Sequence, residues 1–211
     1  METDNPTLPL GYSPLPAGCV ANLMTCLEML APPAPQPERP SPPGIAVEPW
    51  PAPDLDAYRA LFRRVGENWL WTSRLLMPDD ALRRTLHDPA TQVHALTRDG
   101  TRIGLMEMDF RTEGECELVY FGVAEDAIGQ GFGRLLMSYA IARAWAAPIR
   151  RFWLHTCTFD HPAALGFYVR SGFRPYAMMV EVHPDPRLTG HLPRTAAPQV
   201  PILPVGPQAG R

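Results

Sequence analysis

Three glycines at alternate positions, Gly129, Gly131 and Gly133, stand between a strand-like run and an apolar helix-like run in VAEDAIGQGFGRLLM, residues 123–137. Glycine lets the N–H groups of such a turn approach an anion closely, and a helix starting there adds partial positive charge. Arg134 falls in the first turn of that helix and brings a full charge. The chemistry on offer is a grip on a pyrophosphate by Gly129, Gln130, Gly131, Phe132, Gly133 and Arg134. A dinucleotide-binding GxGxxG would need glycine at 134, where arginine stands, and a P-loop would need lysine followed by Ser or Thr. A tight turn with no ligand is the remaining alternative, and its place between strand and helix weighs against it.

Other reactive side chains flank this turn. HTCTFDH, residues 155–161, puts His155 and Cys157 on one strand face, yet no second ligand cluster completes four-coordination, so no metal is expected. Glu117 lies six residues before Val123 in an otherwise apolar strand. Its plain alternative is a solvent-facing glutamate that alternates with Glu115. Tyr168 follows His161 by seven residues, two turns along one helical face. It could equally be a core tyrosine beside Leu165 and Val169.

The elements that must position these groups can be read from periodicity. CVANLMTCLEML (19–30) is too apolar for a disordered leader and reads as an added strand, with IAVEPW (45–50) a second. Asp54 can cap a helix in which Leu55, Tyr58, Leu61, Phe62 and Val65 recur at helical spacing. A loop carrying Trp69 and Trp71 leads to a helix near 79–87. TQVHALT (91–97) and RIGLMEMDF (102–110) flank the hairpin signal Asp99–Gly100, and CELVYFGV (116–123) makes a third antiparallel strand. After the glycine turn come a helix to about Ala146, a strand at 151–157, a helix at 162–170 ended by Gly172, and a strand at 176–183. The 132–146 helix is apolar nearly all round and is expected to be centrally buried, and Trp50, Trp145 and Trp153 are assigned to the core. The order predicts an α/β sheet of mixed direction in one domain.

Composition bounds the rest. Of 26 prolines, fourteen lie within residues 1–53 and five between Pro193 and Pro207, so both ends are proline-rich. The predicted division is an extension over 1–44 holding one strand, a domain over 45–183, and a flexible proline-rich tail over 184–211. A net charge of −3 without a basic run argues against nucleic acid or a membrane as partner. No secretory signal is visible, and four cysteines without paired spacing fit a cytoplasmic protein with reduced thiols.

The turn, together with DHPAALGFYVRSGFRPY (160–176), resembles the GNAT acyltransferase superfamily over roughly residues 45–183. Gly131 and Gly133 take the glycine places of its Gln/Arg-x-x-Gly-x-Gly/Ala signature, while Ile128 replaces the Gln/Arg and His161 replaces a downstream Asn. The resemblance implies a mixed sheet splayed between the strand before the turn and the strand after the helix. It implies acetyl-CoA, with pantetheine on the backbone of Phe121, Gly122 and Val123, pyrophosphate on 129–134, and His161 near the cofactor in place of the Asn, a helix cap being its alternative role. Gly122 would suit a bulge or a close ligand approach. By carry-over Glu117 is the general base and Tyr168 the general acid. A phenol of pKa about 10 can protonate a thiolate whose acid has pKa about 8.5. Trp69 and Trp71 would wall the acceptor site, with core packing of at least one of them as the alternative. The implied activity is N-acetylation of a primary amine, on a small molecule or peptide. A catalytically silent acyl-CoA-binding module and an O-acyltransferase are the alternatives.

Overall fold

The computed structural model describes residues 7–34 and 41–203. Seven strands form one sheet: β1 (Cys19–Met29), β2 (Ile45–Pro49), β3 (Thr91–Arg98), β4 (Thr101–Asp109), β5 (Glu115–Val123), β6 (Arg151–Cys157) and β7 (Arg174–Pro184). Helices are α1 (Leu55–Gly66), α2 (Ser73–Leu76), α3 (Asp79–Leu86), α4 (Phe132–Trp145) and α5 (Ala164–Arg170). The sheet order is β2-β3-β4-β5-β6-β1-β7. Only β5 and β6 run parallel, because the intervening α4 supplies the crossover that parallel neighbours require.

The local signals act as their chemistry dictates. The Asp54 side chain accepts from the Ala57 N–H at 3.0 Å and caps α1. Asp99 and Gly100 both have positive φ, +50° and +78°, the geometry of a two-residue hairpin turn. Gly172, at φ +104°, ends α5, and Phe173 N–H donates to the Tyr168 carbonyl while the two rings pack edge to face.

Strand parity separates two cores. Val93, Ala95 and Leu105 face α1 and α3, whereas Leu96, Met106, Met108, Cys116 and Leu118 face the opposite side, where α4 and Tyr168 of α5 pack. Contrary to its apolar sequence, α4 is not buried all round. Phe132, Leu136, Met137, Ala140 and Ala144 form its inner stripe, and Arg134, Ser138, Ala142 and Arg143 are exposed.

The added strand β1 does not extend an edge. It lies between β6 and β7, antiparallel to both, with Cys26 opposite His155 on one side and Ala177 on the other. The C-terminal segment packs on this end of the sheet. Residues 185–200 contain no helix or strand, yet they are packed: Asp185 and Arg187 form an ion pair in which each side chain is 1% exposed. Leu192, Ala196 and Ala197 are buried against Val20, Leu70 and Phe159. The expected lack of regular structure in the tail holds over these residues, but their packing has no sequence signal, because periodicity detects helices and strands, not an irregular segment fixed by side chains. Residues 1–6, 35–40 and 204–211, parts of the predicted extension and tail, lie outside the described residues. Among the described residues no helix is long and apolar enough to cross a membrane.

Candidate active site

The two parallel strands separate almost at once. β5 and β6 pair only at Glu115–Arg151, Cys116–Phe152 and Glu117–Trp153, after which β6 continues against β1 alone. From Leu118 to Val123, β5 therefore has a partner, β4, on one side only. Backbone groups on its other side face a cavity of about 2010 Å³, lined in part by Phe121, Gly122, Val123, Gly129, His155 and Tyr168.

At the upper end of this opening lies the glycine turn. Gly129 and Gly131 have φ of +80° and +83°, and Gly131 caps α4 in the left-handed region. A Cβ on Gly129 would meet nothing within 4 Å, and one on Gly131 would meet only Arg134 Nη2 at 3.8 Å. Among the described residues no acceptor is paired with the N–H groups of Gly129 to Gly133. Gln130 turns its side chain back to the Asp126 carbonyl at 2.7 Å, Phe132 is buried in the core, and Arg134 is exposed. An open row of N–H donors at a helix N-terminus fits a pyrophosphate.

Glu117 sits where the strands part. A register shift between Glu107/Met108 of β4 leaves Val119 of β5 as the extra residue of a bulge. The bulge changes the phase of the strand, so Glu117 and Tyr120, three apart, both face the α1 side. Gly122 is not the bulge. Its missing Cβ makes room for Val65 of α1, whose Cγ1 would lie 2.7 Å away, so helix packing rather than a ligand requires glycine here.

The Glu117 side chain is 24% exposed, and its Oε1 lies 3.9 Å from His155 Nδ1. Burial, aided by the Asp109 charge on β4, pushes its carboxyl up to about 7, against the opposing pull of Arg74 and Arg111. Burial lowers the His155 pKa, opposed by Asp160 and Glu181. Tyr168 packs its ring among Phe121, Phe167 and Phe173, with centroids 6.1, 5.5 and 6.2 Å away. Its hydroxyl has no hydrogen-bond partner among the described residues, and burial raises its pKa well above the ordinary phenol value. His161 is exposed, accepts from the Ala163 N–H at Nδ1 (3.1 Å), and meets the Trp69 ring edge to face.

Trp71 spans the opening. One side packs on Phe62 and Tyr120, and its indole N–H reaches Asp160 Oδ1 at 3.3 Å. Asp160 also accepts from the Thr156 hydroxyl (2.7 Å) and the Cys157 N–H (2.9 Å), tying the end of β6 to the tryptophan loop. Beneath this loop Arg74 is 8% exposed and paired with Glu107, itself 1% exposed, which also accepts from the Tyr58 hydroxyl. Arg74 also lies over the Tyr120 ring, and Ser73 is hydrogen-bonded to the Tyr120 hydroxyl.

Sequence reasoning passed over Asp160, Tyr120 and the Arg74–Glu107 pair. Asp160 sits inside HTCTFDH, but a single aspartate there has no spacing that marks it as the partner of a tryptophan 89 residues earlier. Trp153, assigned to the core, lines the cavity, while Trp50 and Trp145 are partly buried. All four cysteines are free, and among the described residues no cluster of three or more His, Cys, Asp or Glu could hold a metal ion.

The fold is an α/β one: a mixed sheet opened between two parallel strands, with a glycine turn of N–H groups unpaired among the described residues at the head of the opening. Residues 45–173 match the Acetyltransferase (GNAT) family, and the chain belongs to that family. Comparison with curated proteins finds no match. Among solved structures, the fold is similar to a GCN5-related N-acetyltransferase from Sphaerobacter thermophilus (18% identity, TM-score 0.57, 77% of this chain and 51% of that one). It is also similar to a putative GNAT-family acetyltransferase from Novosphingobium aromaticivorans (19%, TM-score 0.52, 81% and 68%). A third is an aminoglycoside acetyltransferase from an uncultured soil metagenomic sample (15%, TM-score 0.51, 61% and 88%). The chain spans about half the length of the Sphaerobacter protein.

Proposed function

We propose that this chain transfers an acetyl group from acetyl-CoA directly to the primary amine of a small molecule or peptide. The observation that carries the reading is the opening between β5 and β6, whose strand edge runs up to the N–H row of Gly129 to Gly133, both unpaired among the described residues. The backbone of Phe121, Gly122 and Val123 would hold the pantetheine arm, residues 129–134 the pyrophosphate, and His161 the neighbouring face. Bound acetyl-CoA supplies an activated thioester carbonyl.

The protein's own groups then divide the proton traffic. Glu117 takes a proton from the incoming ammonium, directly or through water, leaving a nitrogen lone pair to form the new C–N bond. A carboxyl held near 7 is matched to that task at neutral pH. As the C–S bond breaks, Tyr168 gives its proton to the leaving sulfur, and the second proton shed by the new amide nitrogen restores the phenol through water; burial raises the Tyr168 pKa and so makes it a weaker acid than an exposed phenol in the free protein. Trp69 and Trp71 offer an aromatic wall to the body of the acceptor. An aminoglycoside acetyltransferase among the structural relatives has been solved with sisomicin, which makes amine-bearing small molecules the acceptors to try first.

The test is thiol release from acetyl-CoA across an amine panel, with product analysis. N-acetyl product supports the reading, and O-acetyl product replaces it with an O-acyltransferase. CoA binding with no transfer to any acceptor leaves the catalytically silent acyl-CoA-binding module.

A further inference from the structure

Residues 185–200 lie outside the family match, form no regular element, and yet contain the most completely buried ion pair of the described residues. Arg187 grips Asp185 through Nε–Oδ1 (2.9 Å) and Nη2–Oδ2 (2.8 Å), and its Nη1 donates to the carbonyls of Ala197 (3.1 Å) and Val200 (2.7 Å). One guanidinium thus pins both ends of the segment together, the arrangement of an Ω-loop. Asp185 N–H donates to the Gly18 carbonyl at 2.9 Å, which fixes the loop to the start of β1. Ala197 is fully buried at φ +47°, a backbone state unfavourable for a non-glycine residue that persists only where the surroundings impose it.

The surroundings that impose it are those of the acceptor cavity. Leu192, Ala196 and Ala197 pack on Leu70, between the two tryptophans, and on Phe159, which precedes Asp160. Gln199 Nε2 donates to the Asn68 carbonyl at 2.8 Å, crossing from the loop to the residue before Trp69. Thr189 and His191, joined at 2.6 Å, line the cavity from this side.

We propose that the loop 185–200 is a wall of the acceptor site. It holds the Trp69–Trp71 segment in place and presents Thr189 and His191 to the acceptor, a reading that rests on the acetyl transfer proposed above. A cavity bounded by the tryptophan loop, the β6-β1-β7 face and this wall admits a small amine or a flexible chain end, and it excludes a lysine held on a folded protein surface.

The experiment uses the full chain. Hydrogen exchange over residues 66–76 is compared in the wild type, Gln199→Ala and Leu192→Ala, with CoA affinity measured on the same samples. Protection in that segment falling at least tenfold in either variant, with CoA affinity held, supports the wall. Unchanged protection in both overturns it. Gln199 is exposed, so its variant remains informative even if Leu192→Ala loses its fold. On an accepted amine, His191→Ala raises KM at least threefold; an unchanged KM removes His191 from the acceptor site. Acetylation of surface lysines on folded lysozyme at the rate found for n-butylamine overturns the proposed selectivity. A wild-type chain that fails to bind CoA sinks the functional reading, and the exchange comparison still decides the loop.

Discussion

Glu117 and His155 lie 3.9 Å apart across two strands that stop pairing at that level, so the carboxyl and the imidazole meet at the vertex of the opening. They are biased in opposite ways. Burial and Asp109 raise the Glu117 pKa to about 7, whereas burial drives His155 below the ordinary histidine value. Near neutral pH the histidine is uncharged and the carboxyl is the group that titrates, which makes Glu117 the better acceptor of an ammonium proton.

A pH profile follows from this. With Glu117 as base, kcat/KM for an amine should climb through about pH 7 as the carboxyl loses its proton. Asp109→Asn removes a charge that raises this pKa and frees Arg111, which lowers it, so the limb should move to lower pH. Glu117→Gln should abolish the limb. A limb that survives that change but shifts below the ordinary histidine range would transfer the role to His155.

The glycine turn gives a binding prediction independent of catalysis. Gly131→Val forces a β-branched residue into φ +83° and places its side chain where a pyrophosphate would sit. CoA affinity by calorimetry should fall at least a hundredfold. Arg134→Ala removes one exposed charge and should weaken binding by about 1 kcal/mol, close to fivefold. Equal affinity in wild type and Gly131→Val would remove the turn from the cofactor site.

Stability should depend on the charge pair beneath the tryptophan loop. Arg74→Leu leaves the Glu107 carboxylate buried with the Tyr58 hydroxyl and no cation. Urea unfolding should show a loss of about 3–5 kcal/mol. Replacing both partners, Arg74→Leu with Glu107→Leu, should recover part of that loss, since no buried charge is left unpaired. A single variant as stable as wild type would mean that water reaches Glu107 when Arg74 is absent.

These sites differ in how readily the sequence announces them. β3, β4, β5 and β6 and the helix after the turn were legible because their alternation, their hairpin glycine and their helical apolar spacing are local properties. The order of the sheet was not. CVANLMTCLEML reads as a strand, but its insertion between β6 and β7 depends on partners well over a hundred residues away. The bulge at Val119 was equally hidden, since one extra residue leaves the apolar character of ELVYFGV unchanged while re-aiming Tyr120 toward Glu117. Arg187 was lost in a proline-rich tail because a single arginine gathering distant carbonyls has no period to detect.

Tyr168 offers the sharpest separation of an enzyme from a silent binder. Its ring is held by three phenylalanines, and its hydroxyl has no hydrogen-bond partner among the described residues. Tyr168→Phe therefore keeps the packing, strands no buried polar group, and should leave the melting temperature and CoA affinity nearly unchanged. If the hydroxyl protonates the departing sulfur, the turnover number should fall by about 10²–10⁴-fold, with KM for the amine little altered. The loss should shrink for an acyl donor whose leaving thiol is more acidic, because a better leaving group needs less help from a proton. Thiol release from acetyl-CoA and from an acetyl ester of a low-pKa aromatic thiol, run on both proteins, gives the comparison. Full turnover in Tyr168→Phe with acetyl-CoA would make the tyrosine a packing residue, and solvent or another donor would then have to protonate the sulfur.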